Sequence, residues 1–114
     1  MGNTIIQNNP YDKRLNVKIE GSFTIDNTNE FYTNYLNQVK FITSSDYDIE
    51  VDCTDLNLED FSQVLLLEKI SAIFKEEEFN RILFIFKSDT NSNNHLFIES
   101  VKNYQIPNYQ LKVV

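Results

Sequence analysis

Alternation of apolar and polar residues marks three segments of the chain as strands with one buried face. The alternating apolar residues are Leu15, Val17 and Ile19, then Ile49, Val51 and Cys53, and finally Tyr109, Leu111 and Val113. A fourth strand is predicted at 81–87, where the continuous apolar run ILFIF is typical of a strand covered on both faces. Residues 1–12 are irregular, or form an edge strand around Ile5 and Ile6.

Apolar residues at helical spacing mark three further segments between these strands. They are Phe31, Tyr35, Leu36 and Val39 in the first helix; Leu58, Phe61, Val64 or Leu65, Ile70 and Phe74 in the second, which ends near Lys75; and Leu96, Phe97, Val101 and Tyr104 in the third. Asp26 or Asn27 is predicted to cap the first helix, and Asn57 the second. Pro107 is predicted to end the third.

Strands that alternate with helices predict an α/β fold with a mixed, mostly parallel sheet of four to five strands. Helices packed mainly on one face would leave the other face partly exposed, which fits the polar residues that alternate with the apolar ones. Gly21 is predicted to end the first strand. Residues 22–25, with Phe23 and Ile25 inward, either continue it past a bend or form a short second segment. Residues 1–114 are predicted to form one domain.

The chain is acidic, with a formal net charge of −7 and a pI near 4.5. A nucleic-acid backbone or an anionic membrane would repel it, so we expect neither as a partner. No apolar run is long enough to span a bilayer, and the amino terminus lacks a signal-peptide pattern. With a single cysteine, Cys53, no internal disulfide can form, and we expect a cytoplasmic protein.

The residues of several catalytic devices are missing from this sequence. Gly2 and Gly21 are the only glycines, so no glycine-rich loop can approach a phosphate. His95 is the only histidine, and a structural metal site needs more nitrogen or sulfur ligands. No nucleophile-elbow glycines support a catalytic pair of His95 with Cys53 or with a serine. We therefore expect no enzymatic activity, no cofactor and no metal.

Four carboxylates, those of Asp52, Asp55, Glu59 and Asp60, cluster in the turn that leads into the second helix. One interpretation is an acid–base pair or a divalent-cation site. We favour a structural interpretation, because carboxylates in the first helical turn interact well with the helix dipole and Asn57 is a good N-cap.

Two segments place residues in a recognisable order. In the segment VKIEGSFTIDNTNEFYTNYL, Gly21, Phe23 and Ile25 stand just before a predicted helix. In the segment IEVDCTDLNLEDFSQVLLL, Asp52 stands at a predicted strand end and Asp60 near the start of the next helix. Both segments resemble the hallmarks of STAS domains, the modules found in anti-sigma-factor antagonists and at the end of sulfate transporters, and Asp52 and Asp60 keep that family's spacing. The resemblance covers most of the chain and implies a STAS-like fold and a protein-binding role.

The phosphorylation motif departs from the family's pattern. In antagonists that switch partners, the Ser or Thr directly after the motif's Asp receives the phosphate, and Phe61 stands there. Ser62 stands one place later, and Gln63 replaces the family's Gly. The resemblance therefore implies phosphorylation only at Ser62, in a register shifted by one residue. A helix N-terminus favours phosphate, whereas Glu59 and Asp60 would repel it.

The resemblance implies a non-enzymatic regulatory module that binds a protein partner, such as a kinase-like or phosphatase-like regulator of the anti-sigma-factor kind. The predicted partner-binding residues are Asp55, Asn57, Leu58, Glu59, Asp60, Phe61, Ser62 and Gln63, beside the turn Phe23–Asn27. An exposed Phe61 would anchor an interface. Its helical spacing to Leu58 and Leu65 favours a place in the core.

Other interpretations stay open at this point. The chain would also fit an acidic inhibitor or immunity-type protein that neutralises a basic enzyme. It would fit a STAS subunit of a transporter complex, which would associate with an ATPase. It would fit an enzyme or metal protein that uses the acidic turn. A weaker similarity, to SiaC-like relatives, rests on the aromatic pair Phe31 and Tyr32 without their Asn-Thr-Ser-Ser run. The last strand, Tyr109–Val113, would form a homodimer if its edge were exposed.

Overall fold

The computed structural model describes residues 2–58, 61–87, 96–99 and 109–114. The strands are β1 (Asn3–Asn9), β2 (Arg14–Ser22), β3 (Asp48–Asp52), β4 (Leu56–Asn57), β5 (Arg81–Phe86) and β6 (Tyr109–Val113), and the helices are α1 (Ile25–Val39) and α2 (Phe61–Glu76). A 3₁₀ turn spans Ser44–Asp46, and residues 96–99 are helical.

Five strands form one sheet in the order β1-β2-β3-β5-β6, and the two-residue β4 pairs with the end of β2. The β1 strand is antiparallel to β2, and the other pairs are parallel. These pairings confirm the predicted mixed, mostly parallel sheet. The segment around Ile5 and Ile6 is the edge strand β1.

One face of the sheet carries the hydrophobic core. The buried residues on this face include Leu15, Val17, Ile19, Ile49, Val51, Ile82, Phe84 and Phe86. The ring centroid of Phe74 in α2 lies 5.9 Å from that of Phe31 in α1 and 6.2 Å from that of Phe84 in β5. The ring of Phe97 lies 5.4 Å from Phe84. These contacts place both helices and residues 96–99 on the same face of the sheet, as predicted.

The strand β5 is covered on one face only, so the prediction of a strand buried on both faces is wrong. Leu83 and Ile85 are half-buried on the face away from the helices. The parallel register sets Leu83 beside Glu50 and Ile85 beside Asp52. The two apolar side chains therefore lie beside carboxylates of the next strand, and all the described helices lie on the opposite face of the sheet.

Charged residues pair between strands on this open face. Arg81 Nη2 donates to Asp48 Oδ2 at 2.8 Å, and Asn80 Nδ2 donates to Asp48 Oδ1 at 2.9 Å. Arg14 and Glu50 form a second pair, with 3.3 Å between nitrogen and oxygen. Partial burial alone would raise the pKa of Asp48, but the hydrogen bonds from Arg81 and Asn80 outweigh it and hold the pKa below its usual value.

We expect Asp48→Asn to lower the free energy of unfolding by about 1 kcal/mol at neutral pH, since Arg81 is more than half exposed and solvent screens the pair. A carboxylate whose folded pKa is depressed stabilises the fold above its unfolded pKa, and this contribution disappears as the pH falls through the folded value. Urea unfolding at about pH 7 and about pH 2.5 should therefore show a difference between wild type and variant that vanishes in acid. A difference that is equal at both pH values would contradict this assignment.

Helix α1 begins with a capping box. The hydroxyl of Thr24 accepts from the backbone N–H of Asn27 at 3.4 Å, and Asn27 Oδ1 accepts from the backbone N–H of Thr24 at 3.0 Å. The prediction of Asp26 or Asn27 as the cap is therefore wrong, because both residues lie inside the first turn. The reciprocal bonds start the helix directly after the end of β2.

Two apolar residues of α1 are more exposed than the sequence pattern predicts. Phe31, Tyr35 and Val39 are buried as expected, but Ile25 is 62% exposed and Leu36 is 43% exposed. Ile25 is the first residue of the helix and does not continue the alternation of the strand. The buried face of α1 is thus narrower than its apolar content suggests.

The third predicted helix is described in part. Phe97 is buried as predicted and Leu96 is exposed, while Val101, Tyr104 and Pro107 lie outside the described residues. The last predicted strand is present as β6, at the end of the sheet beside β5. Dimer formation through β6 stays a prediction, and light scattering at high protein concentration would test it.

Candidate functional site

The short strand β4 ties together the carboxyl ends of β2 and β3. The backbone N–H of Gly21 donates to the carbonyl oxygen of Asp55 at 3.0 Å, and Gly21 is the register partner of Leu56. Gly21 has a φ of 74°, in the left-handed region that glycine adopts without strain. The strand continues past Gly21 to Ser22, so of the predicted alternatives the continuation past a bend is the one found. The loop after β3 is thereby held beside the turn that leads into α1.

The acidic turn after β3 is fixed by its own contacts. Asp52 Oδ1 accepts from the backbone N–H of Thr54 at 2.9 Å and from its hydroxyl at 2.6 Å. Asp55 lies 3.1 Å from Lys18 Nζ and 4.0 Å from Lys87 Nζ. The hydrogen bond from Lys18 to Asp55 raises the pKa of the Lys18 ammonium. These contacts position the loop and neutralise much of its charge.

The described part of the chain gives no support to a cation site in this turn. No group of three or more His, Cys, Asp or Glu side chains within it is arranged to hold a metal ion. Asp52 and Asp55 are engaged with Thr54 and with the two lysines. Glu59, Asp60 and His95 lie outside the described residues.

Cys53 occupies a position unsuited to nucleophilic chemistry. Its side chain has no exposed surface at the end of β3, and burial raises the pKa of its thiol. A thiol that stays protonated and out of reach of solvent is a poor nucleophile. The predicted inward orientation of Cys53 is therefore confirmed.

The start of α2 presents an aromatic side chain to solvent. Phe61 is 59% exposed, so the expectation that it belongs to the core is wrong. The buried face of α2 consists of Gln63, Val64, Leu67, Ile70, Ser71 and Phe74. Leu65, which was expected to share a face with Phe61, is 46% exposed. Asn57 lies in β4, four residues before Phe61, so its prediction as the cap of α2 is also wrong.

Two predicted binding segments meet at a groove between the turn before α1 and the first turns of α2. The groove has a volume of about 330 Å³ and is lined by Phe23, Thr24, Ile25, Ser62, Gln63 and Leu66. Phe23 is fully buried and forms the floor, whereas Ile25 and Ser62 are exposed at the rim. The structure thus brings the turn Phe23–Asn27 beside the helix start, as the sequence predicts.

The predicted partner-binding residues differ in accessibility. Asp55, Asn57, Phe61 and Ser62 are exposed, Leu58 and Gln63 are buried, and Glu59 and Asp60 lie outside the described residues. The side chain of Leu58 therefore supports the loop from below and cannot itself reach a partner. Gln63 is buried as a residue but still lines the groove.

Sequence reasoning missed one contributor to this surface, Leu66, which lines the groove. Leu66 could have been found only by knowing the rotation of α2, because its neighbours Val64, Leu65 and Leu67 are also apolar. Thr24 lies in the predicted turn Phe23–Asn27, and its role as the cap of α1 could have been recognised from the Thr-x-x-Asn spacing, a variant of the usual capping box.

Three features define a STAS fold, the fold of anti-sigma-factor antagonists. They are the order of the strands in the sheet, the layer of helices on one face, and the edge of the sheet at which strand ends lead through loops into helices. A solved structure that shares it is that of an uncharacterised protein of the DUF3478 family with a SpoIIAA-like fold, from Shewanella loihica PV-4. The two chains superpose with a TM-score of 0.65 and 17% sequence identity, over 99% of this chain and 85% of that one. A scan of protein-family models and a search of curated proteins find no match. The likeness at this identity concerns the fold alone.

No helix within the described residues has both the length and the apolar character needed to cross a membrane.

Proposed function

We propose that this protein is a non-enzymatic regulatory module of the STAS type that binds a protein partner. The contact surface, which we call the helix-start surface, consists of Ile25, Asp55, Asn57, Phe61 and Ser62. The observation that carries the proposal is the exposure of Phe61, an aromatic side chain that the fold leaves in solvent and that directly precedes Ser62, a residue of the groove. Exposed aromatic residues at the centre of a surface commonly dominate protein interfaces.

The surroundings of Phe61 support this proposal. Ile25 and Phe61 are exposed by 62% and 59%, so both bring apolar area that a partner can remove from water. Asp55 and Asn57 are exposed in the adjoining loop and supply polar groups for a rim. The loop is held by β4 and by the ion pair of Asp55 with Lys18, so little ordering is needed on binding.

Ser62 is the point at which a phosphate would regulate this surface. Its side chain lines the groove together with Phe23 and Leu66, which are apolar. A negative charge at Ser62 would have to be desolvated against these side chains when a partner covers the groove. We propose a kinase-like or phosphatase-like regulator as the partner, and Ser62 as the modified residue.

The experiment is capture of partners from a lysate of the source organism with the wild-type chain and with Ser62→Asp, followed by mass spectrometry. We expect a protein captured by the wild type to be recovered about tenfold less with Ser62→Asp, because the carboxylate lies in the contact. Ser45→Asp is the matched control, since Ser45 is exposed in the turn before β3, at the opposite end of the sheet. Equal recovery of the partner by the wild type and both variants would contradict the proposal that the helix-start surface binds it.

A further inference from the structure

The outer edge of β1 lacks the features that usually protect the edge of a sheet. Within the described residues β1 ends the sheet and has β2 as its only strand neighbour. Such an edge presents backbone N–H and C=O groups to any strand that reaches it, and proteins block it with charged residues, prolines, bulges or short length. β1 has seven residues, none of them charged or proline, and its register with β2 advances without a bulge.

The absence of charge on this edge is unusual for the chain. Charged residues make up 24% of the sequence, yet the first of them is Asp12, beyond the end of β1. The strand at the other end of the sheet, β6, has five residues and carries the exposed Lys112. Of the two ends of the sheet, β1 is therefore the one open to pairing with a further strand.

Two-fold symmetry determines which residues of two β1 strands can face one another. In an antiparallel pair that continues the sheet, residue i of one copy faces residue j of the other, and both point to the same face. The sum of i and j is then even, so one residue lies on the axis. The midpoint of β1 (Asn3–Asn9) is Ile6, and with Ile6 on the axis every residue of both strands is paired.

The pairing centred on Ile6 joins side chains of compatible character. On the helix face, Ile6 is partly buried against the core and would meet its own copy with its remaining surface. On the open face, Ile5 is 40% exposed and would lie opposite Gln7. The other pairs join polar, uncharged side chains, Thr4 with Asn8 and Asn3 with Asn9. No pair sets like charges against each other, although each chain carries a net charge of −7.

The size of this contact fits a reversible dimer. Seven paired residues in each strand give about six to eight main-chain hydrogen bonds. A typical interface contains about ten hydrogen bonds, so this one lies toward the weaker end of the range. The two β2 strands would run in opposite directions, which places the two helix-start surfaces at opposite ends of the joined sheet.

We infer that β1 pairs with β1 of a second copy of this chain, antiparallel and with Ile6 on the two-fold axis, to form a homodimer with one continuous sheet. The inference does not rest on the proposed function, because no residue of β1 belongs to the helix-start surface. Pairing of β1 with β6 is a poorer arrangement, since it leaves an open edge on each chain and produces assemblies of growing length.

Two double variants test this register, because Ile5 of one copy faces Gln7 of the other. Ile5→Lys with Gln7→Lys sets like charges opposite each other, whereas Ile5→Lys with Gln7→Glu sets opposite charges there. Sedimentation equilibrium between about 10 μM and about 1 mM protein measures the dissociation constant of the dimer. We expect the first variant to raise this constant at least about tenfold, and the second to leave it unchanged or lower it.

The two variants share Ile5→Lys and differ only in the charge at position 7, so the second is the matched control. The first adds positive charge to an acidic chain, so overall repulsion cannot explain a weaker dimer. Equal weakening by both variants, an unchanged constant in both, or a wild type that stays monomeric up to about 1 mM would overturn the inference. Species larger than a dimer would also overturn it.

Amide hydrogen exchange of the wild type gives a second readout that needs no substitution. We expect protection at residues 3–9 to increase between about 10 μM and about 1 mM protein, with no change at 109–113. An increase at 109–113 alone would place the contact at β6 and overturn the inference. Protection at 3–9 that requires another protein and does not change with the concentration of this chain would also overturn it.

Discussion

Replacement of Phe74 by alanine should lower the free energy of unfolding by about 4 kcal/mol. Phe74 is fully buried in α2, and its ring centroid lies within 6.2 Å of those of Phe31, Tyr35 and Phe84. The substitution removes the ring that joins both helices to the sheet and leaves a cavity that these neighbours cannot fill. A loss of this size is a large part of the total stability of a domain of this length.

Urea denaturation followed by circular dichroism measures this effect, with the change in midpoint at constant slope as the readout. Leu65→Ala, on the same helix but 46% exposed, is the matched control and should cost less than about 1 kcal/mol. If Phe74→Ala cost no more than Leu65→Ala, the packing of α2 against the sheet described above would be wrong.

Replacement of Phe61 by alanine should weaken binding of the captured partner by about 2 kcal/mol, or about thirtyfold in Kd, with little change in the free energy of unfolding. Phe61 is 59% exposed at the start of α2, so most of its ring has no neighbours to lose in the free protein. In the complex the same ring would be covered, and its removal would expose apolar area of the partner. Titration calorimetry with the purified partner measures the change.

Phe41→Ala is the matched control for this prediction. Phe41 is 78% exposed, just after the end of α1 and at the opposite end of the sheet from the helix-start surface. It should leave the affinity unchanged. An equal loss of affinity with Phe41→Ala and Phe61→Ala would show that exposed aromatic residues bind the partner without regard to position.

The strands β2, β3 and β6 and the first helix were predictable because in each of them the apolar residues recur on one clear face. Leu15, Val17 and Ile19 alternate with polar residues, and only one register buries all three. Which face of α2 packs against the sheet was not predictable in this way. Its sequence is apolar on most sides, so the spacing that joins Phe61 to Leu65 is as regular as the spacing that joins Val64 to Leu67. Tertiary packing decides between them.

Two further features of the fold were also missed. The two-residue strand β4 is too short to have a period, and it exists because Gly21 pairs with Leu56 across the sheet. The cap of α1 was misplaced because Asn27 accepts a bond from the backbone of Thr24 in place of the Glu or Gln of the usual box. The two segments predicted to bind a partner therefore meet at one edge of the sheet, as the sequence indicated, but which of their residues are exposed could be learned only from the fold.

The most direct test of the proposed function is a hydrogen-exchange footprint of the captured partner on this chain. We expect protection at 23–25, 54–58 and 61–66, where the turn before α1, the loop with β4 and the start of α2 meet. Protection confined to the open face of the sheet, around Glu50 and Leu83, would contradict the proposal that the helix-start surface binds the partner.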